Sequence, residues 1–414
     1  MRGPNEQSLT DLKPALNQKK KILLFSTLNP YPFWAGSETY WFDFVRDERV
    51  RETFDFEAVL ADSPATRKKK AELSGLGIKV SFYKHFNVDF LLRNIYRATD
   101  RLQRRENRTL PWFDRILSEK CDLVWFNVAA LADLTELVYA VRLCKQVKVP
   151  YYLILQHAYE SFCPSGEADL NAIREVASGA KRFVFISERN RRSLEKGIAL
   201  DLANAFHSTN AMSPIKLADA ARVAETSPAR TNGTAGFICL GRFSPIDKGQ
   251  HLLIEALGGD AWSNRNWQLT FTGISDYGEK YLRDLIGYFR LDPERITFQS
   301  FTDSVFEAIC ANDLLVMPSV AEGMPYAMIE AMACGRPAIG TPVGGIPELI
   351  EDGSTGWLAR TTDAVDIADA LERAWLDCSK WDEMGKAAQL AVNEKRNEIK
   401  SHGELLSQML VDLM

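Results

Sequence analysis

The strongest constraint on this chain is an alternation repeated along its whole length. Short runs of β-branched and aromatic residues alternate with helix-patterned segments in both halves. In the first half the strand-like runs lie at 21–26, 56–61, 78–83, 122–127, 151–156 and 182–187. In the second half they lie at 237–241, 268–273, 296–299, 313–318 and 337–341. Several, such as Tyr151-Tyr152-Leu153-Ile154-Leu155, are apolar throughout, with no polar residue in alternate positions. Strands that read this way are covered on both faces, as in parallel sheets sandwiched by helices. Strand–helix alternation in both halves predicts an α/β protein with two doubly wound, Rossmann-like domains. The length of 414 residues agrees with two domains, at roughly 150 residues each.

The expected division is a polar tail over 1–18, a first domain over 19–220, a linker over 221–234, a second domain over 235–380 and helices over 381–414. The linker assignment rests on Thr226-Ser227-Pro228 and Thr231-Asn232-Gly233-Thr234, which are small, polar and turn-forming. In open α/β sheets ligands bind beyond the carboxyl ends of the strands. Two such sheets facing each other would enclose a cleft, so the chemistry is expected in strand-to-helix loops.

Composition narrows the class further. With 46% apolar and 25% charged residues, the chain is neither disordered nor a disulfide-stapled miniature. No stretch reaches about 18 uninterrupted apolar residues, so no membrane-spanning helix is expected. Lys19-Lys20-Lys21 before Ile22-Leu23-Leu24-Phe25 imitates a signal peptide. The apolar run is too short and lacks a small-residue cleavage site, so it reads as the first strand. Seven scattered cysteines without a Cys-x-x-Cys pair suit free thiols in a reducing cytosol. The histidines form no cluster and no Asp-x-Asp occurs, so no metal site is expected. Residues 1–215 carry a net +6 and residues 216–414 a net −11, which implies domains with different partners.

Three loops after strands concentrate polar chemistry. The first is Ser319-Val320-Ala321-Glu322-Gly323-Met324-Pro325-Tyr326, continuing to Glu330. Pro325 suits the first turn of a helix. The N–H groups of Gly323, Met324 and Tyr326 are then expected to face an anion at the positive end of the helix dipole. A carboxylate at Glu330, about one turn in, can accept hydrogen bonds from a vicinal diol such as a ribose, and Glu322 sits in the loop itself. The second loop is Gly241-Arg242-Phe243 followed by Lys248-Gly249, two cations at a strand end that suit a diphosphate. The third is Asn29 to Thr39, where Gly36-Ser37-Glu38 opens the next helix; it lacks a full Gly-x-Gly-x-x-Gly dinucleotide fingerprint. His157 closes the list, at the carboxyl end of the 151–156 strand.

Taken together these residues resemble glycosyltransferase family 4. Glu322 and Glu330 form a Glu-x7-Glu pair. Glu322-Gly323-Met324-Pro325, Glu330-Ala331-Met332-Ala333-Cys334-Gly335-Arg336-Pro337 and Gly344-Gly345-Ile346-Pro347-Glu348 are similar to the family's pattern, as is Gly241-Arg242 with Lys248-Gly249. The resemblance is dense over about 235–360 and diffuse before it. It implies the GT-B fold, with two Rossmann-like domains facing a cleft and a C-terminal helix crossing back to the N-terminal domain. It implies a retaining, metal-independent transferase of hexosyltransferase type. Arg242 and Lys248 would bind the donor diphosphate, Glu330 the ribose, and Glu322 with the Gly323-Met324 backbone the sugar. His157 would lie near the transferred sugar and the backbone at Phe301 near the base. Gly36 matches half of a family Gly-Gly loop whose other position is Ala35 here, and Ser300 stands where the family often has glycine. Alternatives are a catalytically silent nucleotide-sugar-binding subunit and a GT-B epimerase or phosphorylase.

The expected partners are a nucleotide-sugar donor and a glycan or lipid-linked acceptor, with no nucleic acid and no cofactor. One further feature concerns location. Arg93, Arg97, Arg101 and Arg105 recur at every fourth position of a helix-patterned segment over 88–108. They read as a basic face for an anionic membrane surface, with Pro111-Trp112-Phe113 as an interfacial anchor. The expectation is therefore a cytoplasmic protein stationed peripherally at the inner face of the membrane.

Overall fold

The computed structural model describes residues 18–26, 36–83, 121–208, 210, 212, 214–227, 233–274, 278–302, 304–398 and 402–413. The arginine-bearing segment 88–108 and residues 111–113 lie outside them.

Two parallel sheets organise the described chain. The first contains β1 (Lys20–Ser26), β2 (Phe54–Ala61), β3 (Lys79–Tyr83), β4 (Leu123–Val128), β5 (Tyr151–Leu155), β6 (Arg182–Phe185) and β7 (Ala205–His207), in the spatial order 3-2-1-4-5-6-7. The second contains β8 (Ala235–Leu240), β9 (Trp267–Gly273), β10 (Ile296–Ser300), β11 (Leu314–Met317), β12 (Ala338–Gly340) and β13 (Gly356–Leu358), in the order 10-9-8-11-12-13. Every residue of β4, β5 and β11 is buried, as their unbroken apolar sequences require when helices cover both faces. All eleven expected strands are present. The two that were not expected, β7 and β13, are edge strands of three residues each, too short to carry a pattern.

Both sheets reverse their strand order at the same place, between β1 and β4 in the first and between β8 and β11 in the second. Adjacent loops there leave on opposite faces and open a crevice at the carboxyl edge. The loops that carry Arg242 and Glu322 follow β8 and β11, so the switch point of the second sheet is where they meet.

The linker expectation needs correction. Ala221 to Thr226 are helical, the last turns of a helix over Pro214–Thr226. Leu217, Ala220 and Val223 on that helix are buried. Their spacing of three gives an apolar stripe, so a helix occupies the first six residues of the expected linker; residues 228–232 lie outside the described residues.

At the C-terminus, the helix Trp381–Glu398 stays with the second domain, where Gln389 donates to the Ala333 carbonyl at 2.8 Å. The last helix, His402–Leu413, crosses back to the first sheet as expected. Its Leu405, Leu406, Met409 and Leu410 are buried in the same core as Tyr152 and Val184. Asp412 accepts from Arg182 at 2.8 and 3.0 Å and from the Tyr152 hydroxyl at 2.5 Å. Burial pushes the Asp412 carboxyl up, but these hydrogen bonds outweigh it and the net displacement is downward.

Asp412→Ala is expected to cost about 2 kcal/mol at neutral pH, the order of a hydrogen-bonded charge. A depressed carboxyl contributes stability above its unfolded value of 3.8 and loses it as pH falls through the folded value. The gap between wild type and variant in denaturant midpoint should therefore close as the pH is lowered through that range. A constant gap would contradict an ionic origin.

Candidate active site

A cavity of about 740 Å³ lies between the carboxyl ends of the two sheets. Gln156 and His157 reach it from the end of β5, and Arg242 and Lys248 from the loop after β8. Phe301 reaches it from the end of β10, and Glu322 to Ala327 with Glu330 from the loop and helix after β11. Eight of the nine residues expected in the site thus line one cavity: His157, Arg242, Lys248, Phe301, Glu322, Gly323, Met324 and Glu330. Gly36 begins the helix Gly36–Arg46 but is not among the lining residues, and residues 27–35 before it are outside the described chain.

The loop after β8 is built to hold its cations still. The Arg242 carbonyl accepts from the buried Gln250 side chain at 2.7 Å, which fixes the main chain there. A short helical turn, Pro245–Lys248, ends at Gly249 with φ of 63°. That left-handed conformation suits glycine, and the contact enforces it, since a Cβ at Gly249 would stand 1.9 Å from the Pro318 carbonyl oxygen. Lys248 leaves this turn to meet Glu322, with Nζ to Oε1 at 2.6 Å. Glu322 is 5% exposed and also accepts from the Ser319 hydroxyl at 2.8 Å. Arg242 lies 3.5 Å from Asp247. Arg242 and Lys248 therefore each face a carboxylate.

After β11 the helix runs over Tyr326–Ala333. Pro325 is not in its first turn, as expected, but caps it with an extended ψ of 117°. The fixed φ of proline fits either position; here the chain turns into helical geometry one residue later. Gly323 to Ala327 line the cavity at the positive end of this helix. Burial raises the Glu330 carboxyl, partly opposed by the Lys216 charge. Burial likewise lowers His157, opposed by Glu322 and reinforced by Lys248, so the imidazole is neutral at physiological pH.

The two domains touch at the cavity. Ala158 forms an antiparallel bridge with Glu322, and Asn210 donates to the Met324 carbonyl at 2.6 Å. Glu160 accepts from the Gly344 N–H and Glu348 from the Arg189 N–H, both at 3.2 Å. Tyr159, Asn210, Lys216 and Asp247 also line the cavity, and sequence reasoning missed all four. Their contacts across the cleft do not show locally: Tyr159 and Asp247 are 88 positions apart, and Asn210 and Met324 are 114. Gly36-Ser37-Glu38 opens a helix as expected, and Glu38 in its first turn is buried. It accepts from Ser26 at 2.7 Å and from the Trp41 indole, and burial pushes its carboxyl up to about 7. Asn127 donates to the same Ser26 hydroxyl and Gln156 to Asn127. This buried polar chain ties the ends of β1, β4 and β5 together.

Residues 234–377 match the family described as Glycosyl transferases group 1. The match covers the second sheet and the helices that connect its strands and leaves the first domain outside it. The β8 and β11 loops therefore supply the Arg242–Lys248 and Glu322–Glu330 residues from within the matched region. Over 102 residues the chain is 38% identical to N-acetyl-alpha-D-glucosaminyl L-malate synthase of Bacillus anthracis, a match covering 25% of this chain and 27% of that one. Over 169 residues it is 32% identical to the putative colanic acid biosynthesis glycosyltransferase WcaL of Escherichia coli, covering 39% and 41%. The matched segments span less than half the length of either relative. The whole fold is similar to that of Anabaena HepE in complex with UDP, with a TM-score of 0.67 and 19% identity over 95% of this chain and 98% of that one. It is also similar to sucrose-phosphate synthase of Thermosynechococcus elongatus, with a TM-score of 0.68 and 17% identity over 95% and 98%. The matched region thus sits in a two-domain GT-B fold.

Proposed function

We propose that the protein is a retaining glycosyltransferase that moves a sugar from a nucleoside-diphosphate sugar to a glycan or lipid-linked acceptor without a metal. One observation carries this reading: Arg242, Lys248, Glu322 and Glu330 of the second domain and His157 of the first line one cavity, at the carboxyl ends of the two sheets. Arg242 and Lys248 are the ligands for the departing diphosphate, in the electrostatic role that a divalent ion fills elsewhere. Glu330 takes the ribose diol. Glu322 and the Gly323-Met324 backbone hold the sugar, and His157 faces it from the acceptor side. As the glycosidic bond loosens, positive charge grows on the sugar while negative charge grows on the diphosphate. The acceptor hydroxyl then attacks from the face the diphosphate leaves, its proton passes to an oxygen of the departing phosphate, and configuration is retained. The solved relatives include HepE bound to UDP, UDP with glucose, and UDP-glucose, which supports a nucleotide-sugar donor.

The test is turnover of a nucleotide-sugar panel against polyol and lipid-linked acceptors, with and without chelator, and NMR assignment of the product anomer. Inversion, or activity lost to chelator and restored by manganese, would sink the proposal. The two glutamates should separate. Glu330→Ala is expected to weaken binding of the free nucleoside diphosphate by at least about tenfold, the order of a charge-assisted contact. Glu322→Gln, which keeps the Ser319 contact but releases Lys248 from its ion pair, should not weaken that affinity and should reduce transfer. Calorimetry with the nucleotide alone and single-turnover transfer distinguish them, and equal losses in both measurements would contradict the roles.

The proposal extends to location: a cytoplasmic enzyme held at the inner face of the membrane by Arg93, Arg97, Arg101 and Arg105. No helix among the described residues is long and apolar enough to cross a membrane. Co-sedimentation with anionic vesicles at low and high salt is the measurement.

A further inference from the structure

Asp247 stands where the two domains meet over the cation pair. Its carboxylate accepts a hydrogen bond from the Tyr159 hydroxyl, in the loop after β5, and another from Ser244 at 3.0 Å. Its carbonyl accepts from the N–H groups of Val320 at 2.8 Å and Ala321 at 3.2 Å, directly before Glu322. Tyr159 in turn packs edge-on against His157, with ring centroids 5.1 Å apart at 87°. One residue thus links the acceptor-side loop, the segment bearing Glu322 and the loop bearing Arg242.

The distances within this group are unequal. The Tyr159 hydroxyl donates to one Asp247 oxygen, whereas the Arg242 guanidinium is 3.5 Å from the other. A guanidinium–carboxylate pair at full strength is bidentate, with two contacts near 2.8 Å. Tyr159 draws one Asp247 oxygen toward the first domain, which leaves the other to be shared by Ser244 and Arg242. Arg242 is therefore oriented by a nearby carboxylate without being locked to it. Tyr159 belongs to the first domain and Asp247 to the second, so this restraint exists only while the cleft is closed.

We propose that Tyr159 is a positioning residue that holds the Asp247 carboxylate across the cleft, keeps Arg242 available to the donor diphosphate, and so couples donor affinity to domain closure. This rests on the reading of Arg242 as a diphosphate ligand. Once the Tyr159 contact is lost, Asp247 turns to pair with Arg242 on both oxygens and competes with the diphosphate. Neither atom set reacts; the effect is on which partner the guanidinium holds.

The experiment is calorimetric titration of the full-length protein with UDP, GDP, ADP and dTDP, continued with whichever binds most tightly. Tyr159→Phe removes only the hydroxyl. It should weaken that nucleotide about tenfold, the scale of one hydrogen bond to a charged group. Adding Asp247→Asn should restore most of the lost affinity, because a neutral amide competes poorly for a guanidinium. A purely structural role for Tyr159 predicts the opposite, a double variant at least as weak as the single one. If Tyr159→Phe binds like wild type, or if the double variant gains nothing, the inference is overturned while the diphosphate reading stands. If the wild-type protein binds none of the four nucleotides, the functional reading falls and the inference with it.

Discussion

Gly323→Ala should reduce sugar transfer by about 100-fold or more while leaving both domains folded. A Cβ at Gly323 would stand 1.9 Å from the Gln156 carbonyl oxygen and 2.6 Å from Ile186 Cδ1. Backbone cannot yield by the more than 1 Å needed to restore van der Waals contact. Gln156 and Ile186 belong to the first domain and Gly323 to the second, so the least costly relief is to open the cleft. Misplacing reacting groups by about 1 Å costs on the order of 10² in rate. Arg242, Lys248 and Glu330 all lie on the second domain, so nucleoside-diphosphate affinity should fall much less than transfer. Single-turnover rates, calorimetry and circular dichroism on the same preparation separate these effects. Transfer at near wild-type rate would show that the two domains do not approach closely during catalysis.

Replacing Arg242 or Lys248 by alanine should weaken nucleoside-diphosphate binding by about 10- to 150-fold each, from roughly 1.5–3 kcal/mol per charge-assisted contact. The two losses should not be simply additive, because both cations act on one ligand. Lys248→Ala carries a second consequence. It leaves Glu322, 5% exposed, with the Ser319 hydroxyl and without its cation. The double variant Lys248→Ala/Glu322→Gln should therefore be more stable than Lys248→Ala alone, since an uncompensated buried charge costs more than a neutral amide. Calorimetry at two salt concentrations measures the affinities, and thermal unfolding measures the stability order. Affinity unchanged in both single variants would remove the diphosphate assignment.

The central strands were legible because a parallel strand buried on both faces has to be apolar at every position, as Leu123–Val128 and Tyr151–Leu155 are. The edge strands Ala205–His207 and Gly356–Leu358 were not, because three residues hold less than two periods of any pattern. The site divided along the same line. Arg242 and Glu322 were legible because each lies in the loop directly after an apolar strand, where ligands bind, and Lys248 and Glu330 because they follow in the helical turn or helix that continues that loop. Asp247 lies between two of them and still went unread. Its role depends on Tyr159, 88 positions earlier in the chain. Asn210 and Met324 are 114 positions apart. Gly36-Ser37-Glu38 was legible as a helix start, but the burial of Glu38 against Trp41 and Ser26 was not, because Ser26 lies on the preceding strand.

The sequence by itself determined the fold class, the positions of eleven strands and the loops that bear the charged residues. Each of these follows from the physics of a short segment: burial on both faces, a strand end, a helix start. Only the tertiary structure decided that Lys248 meets Glu322, that Tyr159 reaches Asp247 across the cleft and that Gly323 has no room for a methyl group. It also carried the last helix back to the first sheet through Asp412. Those outcomes depend on how two separately folded sheets pack edge to edge, and local periodicity holds no information about the relative placement of surfaces so far apart in the chain.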